Sequence, residues 1–235
     1  MKEYYWKEWP PEAAAPNTHK RVFELLLKHS RELNQIDILD VPCGAGAFSN
    51  RLSETGANVT AVDISQVESF QFDTNKLVIQ DINDGLPFKD QTFDVIISIE
   101  GIEHLENPSY FLRECARVMK KNGYLILTTP NVDSFRSRRK YFLHGFPRFF
   151  SPMGEALKQD GHIHPIDMIF INGAIKKAGL QMIEITVNKI SDKIITRVIK
   201  NIIKKTFVKK LPENMRGEIP FFGDVIIYVM KLKDN

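Results

Sequence analysis

The stretch Ile38-Leu39-Asp40-Val41-Pro42-Cys43-Gly44-Ala45-Gly46-Ala47-Phe48 decides the fold. An apolar run ends in a Gly-x-Gly turn, and a helical pattern over 47–54 follows. Glycines let the backbone turn sharply and let a ligand approach where a Cβ would clash. In open α/β sheets the ligand lies beyond the carboxyl ends of the strands, near the point where strand order reverses. Asp40 puts an anion at the strand end, which suits a cationic ligand better than a pyrophosphate. A dinucleotide-binding turn calls for a third glycine three residues after Gly46, where this chain has Ser49.

Working outward, strands and helices alternate. The pattern predicts strands over 36–41, 58–62, 76–79, 94–99 and 124–129, and a short helical stretch over 65–72. A helix opens at Pro108, shows Phe111, Cys115, Val118 and Met119 on one face, and closes at Gly123. A first helix is expected over 17–33, a late one over 166–178, and strands over 181–187 and 224–230. Such alternation implies right-handed crossovers and a mainly parallel, doubly wound α/β sheet. The single domain expected over 1–235 thus has a helical lead over 1–34, a lid insertion over 131–165 and a basic helical insertion over 189–217.

Two further carboxylates stand in step with the glycines. Asp63 closes the second strand 19 residues after Gly44, where it can accept from both hydroxyls of a ribose. Asp81 follows the third strand, where a carboxylate can accept from an adenine amino group.

The blocks Leu39–Gly46, Val62-Asp63-Ile64-Ser65, Asp81-Ile82, Leu86-Pro87-Phe88, Phe93–Ile96, Glu103–Pro108 and Gly123–Asn131 recur in one order. In that order they resemble the core of class I S-adenosylmethionine (SAM)-dependent methyltransferases, within the small-molecule branch that includes quinone-biosynthesis O-methyltransferases. Pro42 departs from the glycine usual there. The resemblance implies a seven-stranded Rossmann-like sheet whose last strand runs antiparallel, with SAM as cofactor. It places Gly44 and Gly46 along the methionine part and Asp63 on the ribose, with Asp40 and Ile64 also in the cofactor-binding set. Asp81 and Ile82 fall on the adenine, and Ile99 and Glu100 at the end of the fourth strand. The implied reaction is methyl transfer to a small-molecule or cell-surface-sugar-type acceptor at oxygen. The rival readings are a non-catalytic SAM-binding protein and an NAD(P)-linked oxidoreductase.

His104 follows the fourth strand, where an imidazole with a pKa of about 6.5 can serve as general base or can orient the loop. Glu100-Gly101-Ile102-Glu103-His104 also resembles a metal-binding Glu-x-x-Glu-His pattern of some quinone O-methyltransferases, but no metal is assigned here. His164, ahead of His162, is the candidate substrate-side histidine after the lid.

Charge is uneven. The chain carries a net +3, yet 136–148 holds five basic and no acidic residues, and 189–210 holds eight basic and one acidic. The lid cations fit an anionic acceptor. The segment 194–211 spaces apolar pairs between lysines, as does a helix packed on its own domain or one lying peripherally on a membrane. No motif for a flipped base is present, which disfavours nucleic acid. Two isolated cysteines, Cys43 and Cys115, suggest a reducing compartment. With no secretory signal and no apolar run long enough to span a bilayer, a cytoplasmic location is expected.

Overall fold

The computed structural model describes residues 14–30, 32–152, 161–189 and 222–233. The expected closure by Tyr4, Tyr5 and Trp6 and the basic segment 194–211 lie outside these residues.

Seven strands form one sheet: β1 (Asp37–Asp40), β2 (Asn58–Asp63), β3 (Leu77–Ile79), β4 (Phe93–Ser98), β5 (Met119–Pro130), β6 (Leu180–Val187) and β7 (Val225–Leu232). Their order is β3-β2-β1-β4-β5-β7-β6. β7 runs antiparallel to both β5 and β6, and the other pairs are parallel. The seven-stranded doubly wound sheet with an antiparallel last strand is therefore as the family resemblance implied.

Helices cover both faces, so the strands read as continuous apolar runs rather than alternating ones. Ile38, Val95, Ile97 and Ile126 pack against Val22, Phe23, Leu25 and Leu26 of α1 (Thr18–His29) and Phe48 and Leu52 of α2 (Ala47–Ser53). Leu39, Ile96, Leu125 and Leu127 meet Phe111, Leu112 and Cys115 of α3 (Pro108–Val118). Ile171 and Ile175 of α5 (Met168–Lys177) join that second layer. Neighbouring residues of a strand thus serve opposite layers, as the two-residue side-chain period requires. In register Ile38 lies beside Val95 and Leu39 beside Ile96, so β1 and β4 are central. The chain winds outward from β1 in one direction and returns to β4 in the other, which opens a crevice beyond their carboxyl ends.

Two local expectations are corrected. No helix forms over 65–72: the chain runs irregularly back over the glycine turn, where Gln71 N donates to Ala45 O at 2.8 Å. Phe70 and Phe72 pack close to Gly46, and that tertiary contact replaces helical bonding. Gly123 does not close α3, which ends at Val118; it lies inside β5, where a Cβ would come within 2.8 Å of Asp94 O. The lid interval 131–165 contains a regular helix, α4 (Phe135–His144), with Ser134 as its N-cap.

Candidate active site

A cleft of about 400 Å³ lies at the carboxyl ends of β1, β2 and β4. Local backbone chemistry builds its floor. Past Asp40, Val41 N donates to Ile97 O and Cys43 N to Val62 O, both at 2.9 Å, so the turn is anchored to β4 and β2. Gly44 and Gly46 then adopt φ of 54° and 73°, conformations that favour glycine. A Cβ on Gly44 would meet nothing within 4 Å, so this residue opens onto free space. A Cβ on Gly46 would come within 2.8 Å of the Phe70 ring. Gly44 therefore faces the cleft, whereas Gly46 is absent from the cleft wall and supports the turn from behind.

Asp63 shapes the same turn. One of its carboxylate oxygens accepts from Gly44 N at 2.7 Å and the other from Ile64 N at 2.8 Å. Each oxygen keeps a second lone pair for a ligand hydroxyl. Asp81 accepts from Asn83 N at 2.9 Å, which starts a 3₁₀ turn at Ile82 and leaves both residues in the wall. The loop after Asp81 is tied down by Arg117, which donates to Leu86 O at 2.9 Å and to Phe88 O at 2.7 Å.

Asp40 is buried, and its Oδ2 accepts from Ser49 Oγ at 2.6 Å. Burial pushes its carboxyl up to about 7; the Ser49 hydrogen bond opposes that rise and the Asp63 charge adds to it. Ser49 thus has a definite task where a dinucleotide turn would carry glycine. Burial, chiefly, also pushes the Cys43 thiol well above its ordinary value.

Of the residues expected to bind the cofactor, Asp40, Gly44, Asp63, Ile64, Asp81, Ile82, Ile99 and Glu100 line the cleft, and so does His104. Glu100 sits at φ 48°, an uncommon conformation for a non-glycine residue. Its amide donates to Thr128 Oγ1 at 3.0 Å and its carboxylate accepts from Ala15 N at 3.2 Å. Four carboxylates (Asp40, Asp63, Asp81 and Glu100) converge on this space, and among the described residues no lysine or arginine lines it.

Neither His164 nor His162 lines the cleft wall: the His164 amide donates to Glu103 O at 3.0 Å, and it is the His162 ring that lies against His104. The His162 ring lies 4.7 Å from that of His104 and 5.3 Å from Phe150, and its Nδ1 donates to Phe149 O at 2.9 Å. Since that carbonyl only accepts, Nδ1 carries a proton. Donor atoms of Glu103, His104 and His162 lie within 4.8 Å of one another. Glu100, the first residue of the Glu-x-x-Glu-His pattern, is not among them. Glu103 is fully buried and accepts from Thr129 Oγ1 at 3.0 Å. Burial pushes its carboxyl up to about 8, with hydrogen bonds opposing the rise and the Glu100 charge adding to it.

His19 was missed. It is buried on α1 yet lines the cleft, and its Nδ1 lies 2.7 Å from Arg51. Arginine only donates, so Nδ1 accepts and the remaining ring proton sits on Nε2. Burial first, and the Arg51 charge second, lower its pKa to about 3. The available signal was a polar residue in helical register with Val22, Phe23 and Leu26 on an apolar face. None of the residues of α4 lines the cleft, so the structure does not bring Arg136, Arg138, Arg139 or Lys140 to it.

Residues 39–127 match the family model described as a methyltransferase domain. A ubiquinone biosynthesis O-methyltransferase of Pelagibacter ubique is 35% identical over 108 residues, covering 43% of this chain and 45% of that protein. The chain therefore spans about half the length of such curated relatives. An uncharacterized protein of Methanocaldococcus jannaschii is 30% identical over 164 residues, covering 65% of this chain and 70% of that one. Among solved structures, a SAM-dependent methyltransferase from Archaeoglobus fulgidus superposes with a TM-score of 0.57 at 20% identity, covering 91% and 94% of the two chains. Glycine turn, strand-end carboxylates, sheet order and sequence likeness thus agree: residues 39–127 are a methyltransferase domain, and the fold is that of SAM-dependent methyltransferases.

Proposed function

We propose that this protein transfers a methyl group from S-adenosyl-L-methionine to an oxygen of a small-molecule acceptor. One observation carries the reading: the cleft gathers four carboxylates and, among the described residues, no lysine or arginine. Such a wall attracts a cation and repels a pyrophosphate. That disfavours the NAD(P)-linked alternative. The open space over Gly44 and a volume of about 400 Å³ also fit a nucleoside-sized ligand.

When bound, SAM supplies an electrophilic methyl on a sulfonium. The residues of this chain would hold it and align the acceptor. Asp63 accepts from the ribose hydroxyls. Asp81 accepts from the adenine amino group, with Ile64, Ile82 and Ile99 flanking the base. Asp40 and Glu100 face the cationic methionine part, and Gly44 gives it room. His104 stands at the reacting end of the cleft and takes the acceptor proton as oxygen becomes the nucleophile. His162 holds the His104 ring in place from outside the cleft. Methyl transfer is an in-line displacement, so most of the rate comes from alignment.

The curated relatives named for quinone biosynthesis support a phenolic hydroxyl as the acceptor group. Calorimetric titration with SAM and with NADH, followed by turnover assays on catechol-type phenols, tests the proposal. Binding of SAM alone and methylation of a phenol are expected. NADH binding would overturn the cofactor assignment. Tight SAM binding without turnover on any hydroxyl acceptor would point to the non-catalytic alternative.

A further inference from the structure

A second cavity, of about 760 Å³, lies at the end of the sheet away from the cleft, where α3 passes into β5, α5 passes into β6 and β7 ends. Five cations line it: Arg113 and Arg117 from α3, Lys121 from β5, Lys177 from α5 and Lys233 just after β7. Among the described residues no aspartate, glutamate or aromatic side chain lines it. One of the cations is already engaged. Arg117 donates to both carboxylate oxygens of Glu114 and to Asp90 Oδ1, each at 2.8 Å, which fixes it in the wall. Among the described residues Arg113, Lys121, Lys177 and Lys233 make no ion pair; the Arg113 guanidinium only lies over the Tyr110 ring, 5.7 Å from its centroid. Even with Glu114 and Asp90 counted, positive groups outnumber negative ones by three. Helix polarity accounts for Lys177, since a cation in the last turn of α5 complements the free carbonyls there. It does not account for Arg113, Lys121 and Lys233, which three other segments bring to the same groove. Gly179 adds an open stretch of backbone: at φ 73° it turns the chain from α5 into β6, and a Cβ on it would meet nothing within 4 Å. Lys233 N donates to Gly179 O at 2.9 Å and holds that wall together.

Like charges gathered in one groove repel each other until an anion enters, and ammonium and guanidinium groups are strong donors to phosphate oxygens. We propose that this groove binds a short chain of phosphates of the tripolyphosphate kind, whether free or carried by a nucleoside. No aromatic side chain stands in the wall for a base to stack on, so the phosphates are what the groove reads. A nucleic-acid backbone needs cations along a stripe, and here the positive field is short. Lys120, the neighbour of Lys121, is bound to Asp37 and Asp94 at 2.8 Å each. The cofactor cleft is no competitor for such a ligand, because Asp40, Asp63, Asp81 and Glu100 repel it. The groove is therefore a separate site, independent of the chemistry assigned to the cleft.

Calorimetric titration of the full chain with sodium tripolyphosphate, with and without S-adenosylhomocysteine, tests it. Binding at one site per chain is expected, unchanged by S-adenosylhomocysteine and weaker as salt rises. Lys121→Gln with Lys177→Gln is expected to weaken it by about tenfold or more. Two control pairs, Arg139→Glu with Lys140→Glu on α4 and Lys204→Glu with Lys205→Glu in the basic segment 194–211, are expected to leave it unchanged. ATP is expected to bind within about threefold of tripolyphosphate, because the base finds no stacking partner. Circular dichroism melts like the parent's would show that these surface substitutions keep the fold. The proposal is overturned if tripolyphosphate does not bind at low salt, or if the groove variant binds it like the parent. A control pair that loses as much as the groove variant, displacement by S-adenosylhomocysteine, or tighter binding of duplex RNA than of tripolyphosphate would overturn it equally.

Discussion

His162 sets its ring edge-on against His104, with centroids 4.7 Å apart, and so couples the segment after the basic helix to the cleft wall. If His104 is the base, His104→Gln lowers kcat by about 100-fold or more while SAM still binds. His162→Ala removes a support rather than the base, so a smaller loss of about tenfold is expected, mostly in kcat. Steady-state kinetics with calorimetric SAM affinities checks both. Parent-like turnover in His104→Gln would reduce that residue to a structural part.

Asp40 is expected to give SAM binding a pH dependence. Its carboxyl is held up to about 7, so below that pH it is mostly neutral in the ligand-free protein. A cation pairs only with the carboxylate, so SAM affinity is expected to fall by up to about tenfold for each pH unit below 7. Asp40→Asn should bind SAM weakly and with a flatter profile between pH 5 and 8, ranges that calorimetry covers. Removing the opposing hydrogen bond with Ser49→Ala moves the parent's midpoint upward. A profile that is flat in the parent chain counts against Asp40 as the charge partner.

Glu103 ties folding stability to pH. Its pKa rises from 4.5 to about 8, so the folded protein holds this proton more tightly than the unfolded chain does. The resulting stability is complete below about 4.5 and is lost as pH climbs through 8. Glu103→Gln keeps an acceptor for Thr129 and cannot ionise. It is expected to be more stable than the parent at pH 9 by on the order of 3 kcal/mol, with the gap narrowing toward acid pH. Denaturant melts at several pH values give the comparison; a constant gap would remove Glu103 as the source.

The Pro42 ring fills the space that a side chain on Gly101 would need. A Cβ on Gly101 would lie 2.2 Å from Pro42 Cδ and 2.4 Å from Cγ. Gly101→Ala is therefore expected to destabilise by about 1–3 kcal/mol and to weaken SAM binding, since both residues line the cleft. Pro42→Gly removes the ring atoms in question. The double variant should recover most of the loss, giving a coupling of about 1 kcal/mol or more in a double-mutant cycle. Additive losses would show that the two positions do not share the clash.

Much of the cofactor end was legible beforehand. Ile38 and Leu39 serve opposite layers of the sheet, Gly44 needs a positive φ, and Asp63 ends β2 at the spacing of a ribose acceptor. Each of these is a demand made over a few neighbouring residues, so the sequence states it directly.

By itself, then, the sequence determined the strand–helix alternation, the glycine turn and the carboxylates at the strand ends, because backbone conformation and side-chain period are local. Tertiary structure alone decided the rest. Phe70 and Phe72 pack near Gly46 rather than forming a helix, and Gly123 passes through β5 beside Asp94. His162 rather than His164 reaches His104, and His19 enters the cleft wall from α1. These contacts join residues tens of positions apart. Their outcome depends on which partners the packed layers bring within van der Waals reach, and no periodicity along the chain carries that information.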